Sequence, residues 1–296
     1  MKKYGFIFFL LTHLFVSKSF SQPFVDIVSF NYQTFSSTYK NDKAQKNKTD
    51  DYFLNFFLPK EFKNGNTLMV RLNTEMLCSA ITPDSSYTSK LYAVLLPLGI
   101  QLLSKNKKWK TVIMAIPKVA SDLKDAVDNY DYQLGGILMG NYQYSETLKI
   151  KFGLYYNREA FGNFFMPLAG IDWKVSDRLK LYGILPTSYK MEYTIKKDKL
   201  YGGLNFRSFT RSFRLSKAEN YDYVRYNEIQ LKLFLDYFIY KKILMFAEVG
   251  YSLGRNPWQY TYNTKEETLR NPVYTGLNRY PVFNVGLAYR IRFDLY

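Results

Sequence analysis

The side chains that most often carry out catalysis are nearly absent from this chain. Its 296 residues include one histidine, His13, and one cysteine, Cys78. His13 lies in an apolar N-terminal stretch that has the features of a cleaved signal, so the predicted mature chain contains no imidazole. This excludes histidine acid–base catalysis, Ser-His-Asp and Cys-His sites, most zinc sites and any intramolecular disulfide. We therefore predict no enzymatic activity, no metal site and no cofactor.

The remaining motifs with chemical potential are weak. Asp122, Asp125 and Asp128 offer carboxylates to a hard cation, but Lys124 intervenes and the spacing lacks the pattern of a calcium loop, which favours a solvated loop. A capping-box pattern at Thr264–Glu267 and a candidate N-cap at Ser121 predict the starts of short helices, with plain loops as the alternative. None of these motifs indicates a reaction.

Charged side chains instead recur at alternate positions, between apolar ones. This period of two is typical of β-strands, and it repeats along the chain. In the last segment the apolar positions are Phe283, Val285, Leu287, Tyr289, Ile291, Phe293 and Leu295, and the intervening positions are Asn284, Gly286, Ala288, Arg290, Arg292 and Asp294. The same pattern covers residues 148–157, 228–239 and 243–254. In the last segment one face is apolar and the other is polar or small, whereas Leu244 and Phe246 depart from the polar face at the start of 243–254.

The length of these strands favours a membrane barrel over a soluble sandwich. Six or seven alternate apolar positions require about 10 residues or more, whereas soluble strands average about 5 or 6. After residue 22 no apolar run approaches the roughly 18 residues of a transmembrane helix. Pro97 interrupts the segment 91–103, which predicts either a bulge or a wrong boundary.

The connections between segments alternate in length. The short ones are Lys63–Asn66, Ser104–Lys108, Ser145–Thr147, Ser176–Arg178, Lys196–Lys199 and Lys241–Lys242. The others are Ser36–Asp51, Ser79–Ser89, Ser121–Tyr130, Ala160–Phe165, Ser216–Asp222, Asn256–Leu277 and the brief Pro186–Ser188. We predict an all-β fold, a transmembrane antiparallel β-barrel of about 14 strands (alternative 12) with short periplasmic turns and longer extracellular loops. Residues 1–21 are predicted to be a cleaved signal peptide, and 22–296 a single barrel domain.

The polar faces predict which side chains line the barrel interior. The candidates are Lys151, Asp172, Lys174, Lys190, Glu192, Arg207, Glu228, Lys232, Asp236, Glu248, Arg290 and Arg292. Charges inside a barrel usually indicate water there. The alternative is that these charges pair across the lumen and fill it. We also expect Ala288, on the same face, to accept a larger polar side chain.

The formal charge of +16 raises the question of a nucleic-acid partner. Basic residues concentrate in the short turns, for example at Lys105, Lys107 and Lys108, without a recognisable nucleic-acid-binding fold. In a barrel these turns would face anionic headgroups, which favours outer-membrane lipids as the partner and no nucleic acid.

Several segments together resemble a known group of barrels. They are the signal ending in Ser-Phe-Ser-Gln, Val25–Ile27, Leu148–Glu159, Phe161–Phe165, Gly170–Trp173 and Leu253–Arg255. In these the chain resembles an uncharacterised Bacteroidota outer-membrane β-barrel family, a domain of unknown function. The resemblance implies a fold and a location in the outer membrane of a Gram-negative, Bacteroidota-type bacterium. It implies no activity and no catalytic residues.

Three function classes remain, one of which, an outer-membrane hydrolase, would need a Ser-Lys or paired-carboxylate site that the sequence does not mark. The first is a passive pore or channel for small polar solutes. The alternative is a non-conducting structural or docking barrel whose loops bind a surface or periplasmic partner. Barrel hydrolases resemble the architecture but rely on a histidine. The last strand ends at Tyr296, like the aromatic-ended strands that barrel-assembly machinery recognises, so we expect that machinery as a partner during insertion.

Overall fold

A computed structural model describes residues 23–40, 46–79, 89–159, 162–216, 223–263, 268–274 and 277–293. Within these ranges it contains sixteen strands and no helix, and so no helix long and apolar enough to cross a membrane. The strands are β1 Phe24–Thr38, β2 Lys46–Glu61, β3 Thr67–Ser79, β4 Ser89–Leu95, β5 Leu98–Leu103, β6 Trp109–Ser121, β7 Tyr132–Gln143, β8 Leu148–Glu159, β9 Gly162–Lys174, β10 Leu179–Ile184, β11 Ser188–Lys196, β12 Leu200–Arg214, β13 Tyr223–Tyr240, β14 Ile243–Asn263, β15 Thr268–Tyr274 and β16 Tyr280–Arg292.

These strands close into an antiparallel ring of fourteen positions. Strands that follow one another in the chain pair around the ring, and β1 pairs with β16 to close the barrel. β4 and β5 share one position between β3 and β6, and β15 is a hairpin extension that pairs with β14 outside the ring. The predicted all-β class and the strand number of 14 are confirmed.

Pro97 separates β4 from β5 without changing the register. On the β3 side Asn73 pairs with Leu95 and Val70 with Leu98, so the same alignment continues past the proline. The alignment with β6 is continuous in the same way. The predicted bulge is therefore wrong, whereas the segment predicted as one strand is divided at the proline into β4 and β5. The proline only removes one N–H donor from an otherwise continuous strand.

Burial alternates along the strands in the sense opposite to that of a soluble protein. On β13 the apolar Leu233 and Leu235 are 59% and 46% exposed on the outer face, whereas Lys232 and Asp236 are buried inside. β16 shows the same inversion. The predicted parity of these strands is confirmed.

Ala288 is an exception to the expected hydration of the inner face. It is buried and packs with Tyr201, Phe238 and Leu244. The expectation that it accepts a larger side chain is therefore wrong at this position, because the lumen is filled there.

The connections form two rims, which we call the turn end and the loop end. All six predicted short connections lie between strands at the turn end. The loops are shorter than predicted, since β1 continues to Thr38 and β2 begins at Lys46, while β14 and β15 occupy much of 256–277. No helix begins at Ser121, which is the last residue of β6. Residues 264–267, the other predicted helix start, lie outside the described residues.

The barrel is pinched at its loop end. The last residue of β12, Arg214, pairs in parallel with Ser121 of β6, a strand well removed from β12 around the ring. The N–H of Asp122 donates to the carbonyl of Arg214 at 3.0 Å, and the Lys118 ammonium donates to the Ser212 carbonyl at 3.4 Å. The upper part of β12 therefore crosses the interior.

Gly203 on β12 provides a test of strand packing. Its φ is +156°, and an added Cβ would collide with the carbonyl oxygen of Met191 on β11. We expect Gly203→Ala to destabilise the barrel by about 1–3 kcal/mol, because alanine must adopt a strained backbone there. Thermal unfolding in detergent micelles measures this. Gly254→Ala is the control, because its Cβ would have nothing within 4 Å; equal melting temperatures of the two variants would contradict the strand packing described.

Candidate functional site

The inner face of the ring brings most of the predicted polar residues into one lumen. Nine of them are buried there: Lys151, Asp172, Glu192, Glu228, Lys232, Asp236, Glu248, Arg290 and Arg292. Lys190 and Arg207 are half-buried and line a cavity. Lys174 lies at the turn end, exposed, with its ammonium 2.6 Å from the carboxylate of Asp177. The hydrogen bond from Lys174 holds the pKa of the Asp177 carboxyl below its usual range.

A layer of buried charges fills the lumen near the loop end. The guanidinium of Arg211 donates to Asp51 at 2.6 Å and also contacts Glu75. Beside them Arg255 lies 3.9 Å from Glu228. An apolar cluster adjoins this layer, formed by Leu77, Leu91, Ala93, Ala120, Phe213, Leu215, Val224 and Tyr226. Sequence reasoning did not single out Arg211, Asp51 or Glu75, although their alternate positions within β12, β2 and β3 mark them as inward-facing.

A second layer of ion pairs lies toward the turn end. Arg290 donates to Asp26 at 2.6 Å and also pairs with Asp236. Arg292 donates to Glu192 at 2.5 Å. Of these five residues only Asp26 was absent from the predicted lumen set. The structure thus brings the other four together as compensated pairs.

A further pair lies on the opposite wall of the barrel. There Lys151 of β8 pairs with Asp172 of β9, and both side chains are buried. Both were predicted to line the lumen. Each side chain therefore neutralises the charge of the other on the inner face of β8 and β9.

A cavity of about 390 Å³ lies in the lumen between the two layers. The carboxylates that line it are already held. Asp26 and Asp236 bind Arg290, and Glu248 pairs with Lys232 and accepts from Asn205 at 2.6 Å and from Asn284 at 3.0 Å. No negative charge at this cavity is left uncompensated among the described residues.

Three cations at the cavity have aromatic neighbours instead of carboxylates. The Arg71 guanidinium lies 4.0 Å from the ring centre of Phe57, and the Lys190 ammonium 4.5 Å from that of Phe234. Arg207 lies 5.6 Å from the ring centre of Phe209. None of the three cations has a carboxylate within 4 Å in the part of the chain that the structure describes. The cavity therefore carries excess positive charge and can attract an anion.

The acidic loop after β6 holds itself together. Asp122 accepts the backbone N–H groups of Lys124 at 3.3 Å and Ser216 at 3.0 Å, and Asp131 accepts that of Asp128 at 2.8 Å. Across the described residues, no group of three or more potential ligands has the arrangement of a metal site. These carboxylates order the loop through their hydrogen bonds.

Arg211 tests how strongly the loop-end layer depends on charge compensation. We expect Arg211→Met to cost about 3–5 kcal/mol of unfolding free energy, because Asp51 and Glu75 would remain buried without their cation. Urea unfolding in micelles measures it. Lys174→Met is the matched control, since that pair is exposed and screened and should change stability little. A similar small effect of both variants would show that water reaches the Arg211 layer.

Comparison with known proteins identifies a family and distant barrels. A family described as "Domain of unknown function (DUF6268)" matches residues 81–290. An uncharacterised protein of Chlamydia pneumoniae is 33% identical over 108 residues, which are 36% of this chain and 32% of that protein. The chain thus spans about a third of the length of this relative.

Solved outer-membrane channels are also similar in outline. An outer-membrane channel from Pseudomonas putida F1 superposes with a TM-score of 0.45 at 8% identity, covering 90% of this chain and 96% of that one. The NanC porin gives a TM-score of 0.38 at 9% identity, covering 89% of this chain and 100% of that chain.

Proposed function

The chain belongs to the family described as Domain of unknown function (DUF6268), and from that premise we propose that it is an outer-membrane β-barrel that forms a narrow passive route for small polar solutes, with a preference for anions. The observation that carries this proposal is the cavity in the lumen with Arg71, Lys190 and Arg207 unmatched by carboxylates. We propose no catalytic step.

The outer surface supports insertion in a membrane. On β9 the outward residues from Phe165 to Trp173 are apolar over nine residues, which matches the about 9–11 residues of a transmembrane strand. On the rest of the ring leucine, valine and aromatic side chains are exposed in the same way. Basic turns such as Lys241 and Lys242 suit anionic headgroups at the turn end.

Electrostatics supports the preference for anions. A cation that enters the cavity meets Arg71, Lys190 and Arg207, none of which forms an ion pair among the described residues, and their positive field raises its energy. The same positive field lowers the energy of a small anion. Since the three cations are half-buried or exposed to the cavity, an anion can exchange with water and leave again, as conduction requires.

The buried ion-pair layers limit how wide the route can be. Both layers reduce the cross-section on either side of the cavity, so we expect a small unit conductance. The same layers favour the second candidate, a non-conducting docking barrel, because a filled lumen needs no solute. We further propose signal cleavage after residue 21 and insertion by barrel-assembly machinery; the Bacteroidota origin stays a prediction.

Bilayer recording tests the channel. In a potassium chloride gradient across a planar bilayer, we expect small stepwise currents whose reversal potential indicates chloride preference. Arg71→Gln combined with Arg207→Gln should move the reversal potential toward zero, because two of the three unmatched cations are lost. Arg158→Gln, on the exposed outer face, is the control. Electrical silence of the correctly folded wild-type barrel would favour the docking barrel.

The lipid-facing position of Leu287 tests the membrane assignment. Leu287 is 50% exposed on the outer face of β16. We expect Leu287→Arg to reduce the folding free energy in lipid vesicles by about 2–4 kcal/mol, because an arginine near mid-strand would face hydrocarbon. Leu287→Met, with similar volume and no charge, should behave like the wild type. If the arginine were neutral in vesicles, β16 would not face lipid.

A further inference from the structure

The wall of the barrel is lower at β10 and β11 than on either side. The connection between these strands lies beside Ala169 of β9, where Ala169 and Leu185 exchange backbone hydrogen bonds of 3.1 and 2.7 Å. β9 continues beyond this level to Gly162, and β12 continues to Arg214. Because β12 then turns inward to reach β6, no strand of the described residues lies between the upper edges of β9 and β12. We call this gap the lateral notch.

The β9 edge of the lateral notch carries unpaired backbone. The residues of this edge above Ala169 are Asn163, Phe165 and Pro167. They share the parity of Ala169, so their N–H and C=O groups point away from β8, and within the described residues these groups have no backbone partner. Pro167, which lacks an N–H, suits such an edge.

The depth of the lateral notch follows from the outer face of β9. The apolar run there extends from Phe165 to Trp173, and the connection between β10 and β11 reaches only Ala169, its midpoint. In the proposed membrane the notch therefore faces the leaflet at the loop end. Unpaired backbone groups are not tolerated in hydrocarbon, so water or another polar group must reach this edge from the lumen. The notch is thus a place where the polar lumen meets the apolar phase.

The inner side of β9 at the notch is itself apolar. Phe164 and Met166 face inward there and are half-buried. They offer a surface on which a hydrocarbon chain can lie as it passes from the membrane into the lumen. A ligand with one polar and one apolar end therefore suits this gap.

The cavity in the lumen reaches the base of the lateral notch. Ser188 and Arg207 both line the cavity, and they pair with each other across β11 and β12. The next contact toward the loop end is the hydrogen bond that the N–H of Ser208 donates to the carbonyl of Thr187 at 2.8 Å. Above it, Thr210 has no backbone partner on this side of β12 among the described residues. Ser188 faces inward and is nevertheless exposed, so the cavity is open next to the notch.

We propose that the cavity and the lateral notch together bind a long-chain carboxylate. The carboxylate lies in the cavity against Arg71, Lys190 and Arg207, and the hydrocarbon chain passes over the connection between β10 and β11 to the membrane. Charge complementarity selects the anionic head, and the apolar inner side of β9 selects the chain. This inference rests on the cation-lined cavity of the proposed function and names its substrate class.

The size of the cavity favours a carboxylate over the head group of a phospholipid. Its volume is about 390 Å³, and part of its wall is the Arg290 ion-pair cluster, which leaves no free cation there. A carboxylate reaches the unmatched cations with only its own chain behind it. A phospholipid would have to bring its glycerol and both ester groups into the same space before its phosphate reached Arg71. The occupant is therefore a free carboxylate with a single chain.

Calorimetric titration of the refolded full-length barrel in a neutral detergent tests the head group. The probes are sodium laurate, dodecanol with the same chain and no charge, and butyrate with the same head and a short chain. We expect laurate to bind at least about tenfold more tightly than either, because dodecanol lacks the negative charge that the cations attract and butyrate lacks the chain that contacts β9. Equal affinity of laurate and dodecanol would overturn the proposal.

Variants locate the head group. Arg207→Gln should weaken laurate about tenfold and leave dodecanol unchanged. Arg158→Gln, on the outer face, should change neither. Heat-modifiable migration on a gel confirms that each variant is folded, and Lys190→Gln replaces Arg207→Gln if the latter does not fold. An unchanged laurate affinity in both folded cavity variants would overturn the proposal.

Fluorescence quenching locates the chain. A fluorophore attached at Thr210→Cys, in a Cys78→Ser background, should be quenched by stearate that carries a nitroxide near its methyl end. A fluorophore at Thr74→Cys on β3 is the matched control and should be quenched less. Equal quenching at both positions would overturn the notch, and displacement of laurate by a diacyl anionic lipid would overturn the single-chain assignment. These results are independent of conductance: a silent bilayer with tight laurate binding would overturn the channel and leave the binding site standing.

Discussion

The structure depends on the requirement that nearly every backbone N–H and C=O group finds a partner within a closed ring. β1 pairs with β16, and β13 with β14, so the sheet has no free edge along most of its circumference. Closure fixes the two faces of every strand, because successive side chains must point alternately into the lumen and away from it. The apolar outer face and the charged inner face then follow from the sequence of each strand.

Closure also forces charges into a confined interior, where each of them needs compensation. Arg290 is held by Asp26 and Asp236, and Arg292 by Glu192. Such pairs contribute little net stability, but removal of one partner strongly destabilises the fold because the other charge stays buried. The functional interest of the lumen therefore lies in the cations that form no ion pair within the described lumen, Arg71, Lys190 and Arg207.

Local patterns in the sequence predict the ring but not its irregularities. Alternation over β13 and β16 is a local property, so it predicts the faces of Lys232 and Arg290 correctly, and the short polar turns predict the strand number. The contact of Arg211 with Asp51 joins residues 160 positions apart and depends on how the wall folds inward. The brief connection at 186–188 is visible in the sequence. That it lies below the end of β9, and so leaves a gap in the wall, can be seen only when the length of β9 is known.

The unpaired edge of the lateral notch and the cations that form no ion pair in the described lumen meet at one place in the barrel. A uniform ring would leave no unpaired edge, and a fully compensated lumen would leave no free cation. Arg207 belongs to both exceptions, because it lines the cavity and pairs with Ser188 of β11 at the base of the lateral notch. Local departures from the rules that stabilise a fold are typical of functional sites. A ligand that joins a charged head to an apolar chain suits the cation-lined cavity and the apolar inner side of β9 beside it.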